Sequence, residues 1–322
     1  MSAPFASLLC GYRTSPNGVL TTKPNTSDAN DSGSVELGHA LFEELGVPAD
    51  QASVADPGAE LEKQIESHLQ PLRADLVIQR SRSVLEFQQY AHLRVFPEFK
   101  KHHISASSTL ENLLEIANRL PSSPEATQIK KTLKSSYEKF LEQDAISERL
   151  KLYMPEESLL NLDLTFALAA EGTEQQLRLG LSSKWTLRTD RAQDCLSQGS
   201  KLASQRRGPM PHYGVITMEP RPAMLKILAD GSGAVDYVYH LALPELVSAV
   251  EKLRSTKRKG WSPGITFERL LNQGRLRDYA DLVREVQAIP TFQPSPIAAG
   301  AFADAEATAG RAEDSDGDSV VP

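Results

Sequence analysis

The sequence predicts an α/β fold in which a mixed central β-sheet is flanked by helices. Two stretches near the middle of the chain, 161–168 and 177–185, alternate apolar and polar residues with period two, which is typical of strands. Apolar residues recur at helical spacing before and after these stretches. With 322 residues, of which 40% are hydrophobic, the chain is long enough to bury a full core.

The first part of the chain is predicted to be a loop-rich segment followed by helices. Residues 21–34 are dense in Ser, Thr, Asn, Asp and Gly, so we expect a loop within a separate N-terminal segment over 1–34. A helix is predicted over 35–45. Apolar residues at spacings of three and four predict a second helix, interrupted near Pro71, with the stripe Leu61, Ile65, Leu69, Leu72 and Leu76.

Three further elements are predicted before the central strands. The apolar residues at 76–78 indicate a short strand, and 84–99 is predicted to be a helix. A longer helical region is expected over 109–152, broken near Pro121 and Pro124.

The two central strands are predicted to form a hairpin, because residues 171–174 between them supply turn chemistry. Alternation puts the apolar side chains on one face: Leu162, Leu164, Phe166, Leu168, Leu177, Leu179, Leu181 and Trp185. The opposite face then carries the polar side chains Asp163, Thr165, Arg178, Ser182 and Lys184.

The remaining elements complete one domain over 35–292. They are predicted as a helix, two strands and two helices, over 192–205, 212–218, 235–243, 245–253 and 267–286. The Ala-rich acidic tail over 293–322 has too little apolar surface to bury and is predicted to be disordered.

Composition excludes several classes of protein. Cys10 and Cys195 are too few and too far apart for a disulfide framework or a four-ligand zinc site, so we expect a reducing, cytoplasmic environment. No apolar stretch approaches the length of a membrane span, and the start of the chain lacks the basic flank of an export signal.

The net charge of −7 is unevenly distributed along the chain. Beyond Gly300, six acidic residues face one arginine, so the rest of the chain is close to neutral. The window 184–208 carries six basic residues against two acidic ones. A basic window can neutralise nucleic-acid phosphates, although charge alone favours a solvated helix face.

Asp163, Ser182 and Lys184 would place a carboxylate and an ammonium over one polar patch. Phosphodiester hydrolysis requires a carboxylate that holds a metal ion and can use a lysine to orient water or stabilise developing charge. Magnesium accepts one or two carboxylates and a backbone carbonyl and retains water ligands. On these three residues alone, an ordinary surface ion pair is the favoured interpretation.

A family resemblance changes that interpretation. The run 182–193, Ser-Ser-Lys-Trp-Thr-Leu-Arg-Thr-Asp-Arg-Ala-Gln, resembles the signature of the NgoMIV-type restriction endonucleases of the PD-(D/E)XK nuclease superfamily, in which the Ser-x-Lys of the active site leads into an Arg-x-Asp-Arg reading element. Further similarity lies at 88–93, 211–212, 218–220, 231–233 and 238–240.

The resemblance implies a restriction-endonuclease-like fold and assigns catalytic roles. Lys184 matches the catalytic lysine, Ser182 its companion, and Glu62 an outlying acidic residue near the metal, although a glutamate favoured by the helix dipole explains Glu62 equally well. Asp163 best matches the metal-binding aspartate, with Asp144 as the alternative. We assign the second metal position to Ser183, which follows Ser182 in the signature.

Gln198 departs from the family pattern. The helix after the signature carries a glutamate seven residues beyond the last reading arginine in the family, and this chain has Gln198 there. An amide oxygen can accept a hydrogen bond but brings no negative charge to a metal ion. Weak metal binding or lost activity is therefore an open alternative.

Arg188, Asp190 and Arg191 are the predicted base-reading residues. Arginine can donate two hydrogen bonds to guanine, and aspartate accepts one from cytosine, so the triplet suits a C:G pair. The resemblance assigns it to a central CCGG. The family arginine that helps to read the outer pair is replaced by Met224, with Arg221 three residues earlier, which leaves the outer base pair undetermined.

The resemblance predicts a Mg²⁺-dependent type II endonuclease that cuts double-stranded DNA at a palindrome with a CCGG core, for which GCCGGC is one candidate. A palindromic site matches a two-fold axis, so the chain is expected to form a homodimer or homotetramer, with no membrane partner. The alternatives are a nuclease-fold DNA-binding protein with impaired catalysis and a structural helical protein that does not contact DNA.

Overall fold

The structure, a computed structural model, describes residues 2–102, 105–153, 160–168, 174–230 and 233–291. The described residues up to Gln287 form one compact unit. The turn expected over 171–174 lies almost entirely outside the described residues, and so do residues 231 and 232 and the tail expected to be disordered.

The N-terminal half contains six helices and three strands among the described residues, and the C-terminal half contains the rest. In chain order the first set is α1 (Ala6–Leu9), β1 (Tyr12–Thr14), β2 (Leu20–Pro24), α2 (Ser32–Leu45), α3 (Pro57–Leu69), β3 (Leu76–Ser83), α4 (Val95–His102), α5 (Ala106–Asn118) and α6 (Pro124–Tyr153). The second set is β4 (Asn161–Leu168), β5 (Gln176–Lys184), α7 (Thr189–Gln205), β6 (His212–Thr217), α8 (Pro222–Ala229), β7 (Tyr237–His240), α9 (Leu243–Thr256), α10 (Ser262–Asn272), β8 (Leu276–Asp278) and α11 (Tyr279–Ala288).

A six-stranded sheet in the order β3-β4-β5-β6-β7-β8 lies at the centre of the fold. β3, β4 and β5 pair antiparallel, whereas β5 to β8 pair parallel, so the sheet is mixed as expected. Because β4 and β5 run in opposite directions, the start of β4 and the end of β5 meet at the same edge of the sheet.

The strands are held by apolar side chains on paired positions. Leu164 lies opposite Leu181 and Phe166 lies opposite Leu179, and all four are buried, as alternation predicts. In β6, Tyr213, Val215 and Ile216 are all buried, which is typical of a parallel strand covered on both faces. The predicted core strands are therefore confirmed.

The N-terminal segment over 1–34 contains regular secondary structure as well as loops. β1 and β2 form a two-stranded sheet, and α2 begins at Ser32, so the expected loop over 21–34 is shorter at both ends. The side chain of Asp31 accepts from the amides of Gly33 and Ser34 and caps α2. Ala3 donates its amide to the carbonyl of Leu241 at 2.7 Å, which ties the N-terminal segment to the strand region.

Three other predicted elements differ in length or type. The strand expected at 76–78 extends to Ser83 because it pairs with the whole of β4. The helix expected over 84–99 is replaced by 3₁₀ turns at Val84–Glu86 and Gln88–Arg94, which are followed by α4.

The helix expected over 267–286 is divided into α10, β8 and α11. Gly274, with φ +68°, lies just after α10 in the left-handed conformation that ends helices, and β8 then adds to the edge of the sheet. No helix among the described residues is long and apolar enough to span a bilayer. Cys10 and Cys195 are both free and buried.

Candidate active site and DNA-reading segment

One oxygen of the Asp163 carboxylate receives hydrogen bonds from all three residues of the Ser-x-Lys motif. Asp163 Oδ2 accepts from the hydroxyl of Ser182 at 3.0 Å, from the amide of Ser183 at 2.8 Å and from the ammonium of Lys184 at 2.6 Å. The Lys184 and Asp163 side chains are 22% and 26% exposed, so the cluster is open to solvent on one side. The structure thus brings together the predicted aspartate, serine and lysine.

The register of the hairpin explains this cluster. Leu164 lies opposite Leu181, so the next residues outward, Asp163 and Ser182, are neighbours across the β4–β5 ladder. Lys184 follows two positions later on the same face, at the end of β5. The alternation that buries leucines on one face therefore places the acid, hydroxyl and ammonium together on the other.

The donor set fits a magnesium ion. No described residue donates to the second oxygen of Asp163, so that oxygen can bind a cation. By the same alternation the Ser183 side chain lies on the leucine face, so its buried hydroxyl, which has no hydrogen-bond partner within the described parts of the chain, points away from Asp163. Only the backbone of Ser183 adjoins the cluster. Among those residues no group of three or more His, Cys, Asp or Glu side chains is arranged for a metal ion, but magnesium requires only one or two carboxylates besides water.

Glu62 of α3 supplies a second carboxylate near the cluster. Partial burial and, to a smaller extent, the negative charge of Asp163 raise the pKa of Glu62 to about 7, while Lys184 lowers it. A bound cation would favour the ionised form of Glu62, so this partly buried carboxylate is suited to a metal ion. The structure thus places Glu62 within electrostatic reach of the predicted aspartate and lysine, although Glu62 and Asp163 are 101 positions apart in the chain.

Asp144, the alternative metal aspartate, lies elsewhere. Its carboxylate accepts from the hydroxyl of Ser105 at 2.8 Å and from the amide of Ser107 at 2.9 Å, at the start of α5. These hydrogen bonds, mainly those from Ser107, lower the pKa of Asp144 to about 2. The geometry therefore favours Asp163 as the site aspartate and gives Asp144 a helix-capping contact.

Gln198 reaches the site through an intermediate tyrosine that the sequence did not reveal. Its carbonyl oxygen accepts from the hydroxyl of Tyr213 at 3.0 Å. Burial and, to a smaller extent, Cys195 raise the pKa of Tyr213, while Ser182 acts in the opposite direction. The thiol of Cys195 lies 3.5 Å from the Ser182 hydroxyl and completes the buried side of the cluster.

The predicted reading residues lie at the start of α7, directly after β5. Arg188 is the N-cap residue of this helix with an extended backbone, and its side chain does not cap the helix. Arg188, Asp190 and Arg191 are all exposed. The guanidinium of Arg191 makes one long contact, 3.4 Å, with the carbonyl of Thr186. The three side chains are thus exposed to solvent near the end of β5 that carries Lys184.

The segment before Arg188 is fixed by residues that follow β6. Glu219, which is fully buried, accepts the amide of Leu187, and Arg221 donates to the carbonyl of Leu187. Arg221 is therefore occupied by internal contacts. The sequence marked 218–220 only as part of a resemblance, and a single sequence gives no signal that this glutamate is buried.

If the cluster cleaves DNA with Mg²⁺, as the family resemblance implies, Gln198→Glu is expected to lower the Mg²⁺ concentration needed for half-maximal cleavage by about tenfold, the lower end of the effects seen for residues that support metal ligands. A glutamate can accept from Tyr213 as Gln198 does, and it adds a negative charge next to the cluster. A Mg²⁺ titration of cleavage measures the effect. Ser200→Glu, which adds the same charge at an exposed position of α7, is the control. An unchanged or higher requirement for Gln198→Glu would contradict the prediction.

Comparisons with known proteins identify the same region. Residues 161–287 match the family of the NgoMIV restriction enzyme. The chain is 38% identical over 114 residues to the Type II restriction enzyme NgoMIV of Neisseria gonorrhoeae, a match that covers 35% of this chain and 38% of that enzyme. The chain thus matches well under half of the length of this relative. A solved structure titled "Restriction endonuclease PspGI-substrate DNA complex" aligns with 10% identity and a TM-score of 0.26, over 78% of this chain and 90% of that one.

Proposed function

Because residues 161–287 match the family of the NgoMIV restriction enzyme, we propose that this chain is a type II site-specific endonuclease that hydrolyses phosphodiester bonds of double-stranded DNA. The observation that carries the proposal is the convergence of Ser182, Ser183 and Lys184 on one oxygen of Asp163. A surface ion pair would not require a hydroxyl, an amide and an ammonium on the same oxygen.

Each residue of the cluster has a distinct task in this proposal. Ser182 and the amide of Ser183 hold the Asp163 carboxylate so that its other oxygen points away from them. Asp163 and Glu62 would hold Mg²⁺, with Ser183 as the further metal-binding residue through its backbone carbonyl. The bound ion would supply a polarised phosphate and a more acidic water. Lys184 stabilises negative charge on the phosphate or orients the attacking water.

The target is proposed to be a palindrome with a CCGG core, read by Arg188, Asp190 and Arg191. Arginine pairs with guanine and aspartate with cytosine in the major groove. Since each half of a palindrome presents the same edges, a homodimer or homotetramer would place one reading segment on each half. We expect the chain to act in the cytoplasm as part of a restriction-modification system.

A DNA-binding protein with impaired catalysis is the second candidate, and Gln198 is the observation that favours it. The family pattern has a glutamate at this position, and here the amide oxygen is engaged by Tyr213. This candidate shares the reading segment and differs in the chemical step.

One paired experiment tests both candidates. Supercoiled plasmid that contains CCGG palindromes is incubated with the protein and Mg²⁺, and the binding of a CCGG duplex is measured by gel shift in Ca²⁺. Discrete fragments and a cognate gel shift are expected. A gel shift without fragments would support the impaired protein, and the absence of both would refute the proposed function.

A further inference from the structure

A buried ion pair outside the catalytic cluster holds both polar atoms of the peptide backbone at Leu187, one residue before the reading segment. We propose that Glu219 and Arg221 are positioning residues that set sequence discrimination by fixing the entry of the chain into α7. This inference rests on the proposed function, and it assigns a role to two residues that the catalytic chemistry does not use.

The contacts hold Leu187 from two sides. Glu219 Oε2 accepts the Leu187 amide at 2.8 Å, while Arg221 Nη2 donates to the Leu187 carbonyl at 2.8 Å. The two side chains are joined to each other by Arg221 Nε and Glu219 Oε1 at 2.7 Å. With both groups of Leu187 bound, the backbone direction at Arg188 is determined by the ion pair.

The local chain after β6 makes Glu219 rigid. Its amide donates to Thr217 Oγ1 at 3.1 Å, and its Oε1 also accepts the amide of Arg221 at 3.0 Å. Pro220 between them restricts the backbone further. Glu219 is thus held in one orientation before DNA arrives.

Burial argues for a positioning role and against a purely stabilising one. The Glu219 side chain is 0% exposed and the Arg221 side chain is 14% exposed. A buried ion pair often gives no more stability than apolar residues of similar size, because both charges lose their hydration. The structural effect of this ion pair is that it fixes the backbone of Leu187.

The environment of Arg221 also argues against direct base reading by this arginine. Its Nη1 atom faces the carboxylates of Asp28 and Asp31 at 3.6 and 3.9 Å, and its other nitrogens bind Glu219 and Leu187. A guanidinium occupied in this way has no free edge for guanine. Arg221 therefore acts through the reading segment and connects that segment to the loop before α2.

The test compares cleavage of the CCGG duplex with cleavage of duplexes that carry one substituted base pair. In Arg221→Ala and Glu219→Gln, the ratio of cognate to substituted kcat/KM is expected to fall by about tenfold, which is within the range of one good base contact. Arg221→Lys keeps the charge and one contact, so its ratio is expected to lie between those of Arg221→Ala and the wild type. Arg254→Lys, which alters an exposed pair with Glu268, is the control.

A double variant tests the same inference if the single variants are too unstable to fold. If a single variant does not fold, Glu219→Leu/Arg221→Met removes both charges without leaving either one unpaired, and the same loss of discrimination is expected. An equal fall in cleavage of all duplexes, with the ratio unchanged, would overturn the inference while leaving the proposed function intact. A wild-type protein that neither binds nor cuts CCGG duplexes would overturn both.

Discussion

Lys184→Ala is expected to slow Mg²⁺-dependent cleavage of CCGG duplexes by about 10²–10³-fold, the typical loss when one group that stabilises transition-state charge is removed. The Lys184 ammonium lies 2.6 Å from Asp163 Oδ2 and keeps part of its surface open to solvent, where a phosphate can approach it. Single-turnover cleavage measures the chemical step. Binding of the same duplex in Ca²⁺ is expected to survive, because Lys184 does not belong to the reading segment.

Lys201→Ala is the matched control for this loss. It removes a lysine from α7, in the same basic window, that is not among the donors to Asp163. Cleavage by Lys201→Ala at saturating protein is expected to stay close to that of the wild type. Full activity of Lys184→Ala would refute the assignment of the active site.

The choice of aspartate is tested in the same assay. Asp163→Ala removes the acceptor of three hydrogen bonds and one metal-binding carboxylate, so it is expected to abolish cleavage. Asp144→Ala loses only contacts at the start of α5 and is expected to cut. The opposite pattern would show that the site is built around Asp144.

The sequence was sufficient to predict the central hairpin and its polar face. Period-two alternation arises whenever one face of a strand is buried, so it can be recognised within a few residues. The structure pairs Leu164 with Leu181 on the predicted apolar face. Once the leucines are assigned to one side, Asp163, Ser182 and Lys184 must share the other. The acid–lysine cluster was therefore predictable from two short stretches of chain.

The strand β8 was missed because its signal is short and local. A strand of three residues is too short to show alternation. The apolar residues before and after β8 keep helical spacing, so the whole stretch resembles one helix. Gly274 was the available sign of a break, since a glycine near the end of a helical pattern is typical of a C-terminal cap. The predicted helix over 267–286 ignores this signal, so its boundaries are wrong.

The contacts of Glu62, Tyr213 and Glu219 could not be derived from periodicity. Glu62 lies within electrostatic reach of Asp163 because α3 packs on the sheet. Tyr213 of β6 binds Gln198 of α7, and Glu219 binds Leu187 from the connection after β6. Such contacts depend on how elements pack, whereas the sequence pattern reports only which face of each element is apolar. The family resemblance supplied Glu62 and Gln198 but not their partners.

Arg188→Ala is expected to weaken binding mainly to the cognate duplex. One good bidentate contact contributes about 1 to 3 kcal/mol of discrimination, so the preference for CCGG over a singly substituted duplex should fall by about 5- to 150-fold. The Arg188 side chain is exposed at the start of α7 and does not cap the helix, so its removal leaves the fold intact. Asp190→Asn replaces an acceptor with a mixed donor and acceptor, and it is expected to relax the requirement for cytosine.

A competition binding experiment distinguishes base reading from electrostatic attraction. It uses duplexes with single substitutions in CCGG and is carried out in Ca²⁺ at fixed salt. Arg207→Ala is the matched control, because Arg207 is an exposed arginine of the same basic window just beyond the other end of α7. If Arg207 contacts phosphate, its loss weakens binding to every duplex alike and reduces the dependence of affinity on salt. Should Arg188→Ala and Asp190→Asn behave in that same uniform way, these residues are electrostatic anchors, and CCGG must be read by other side chains.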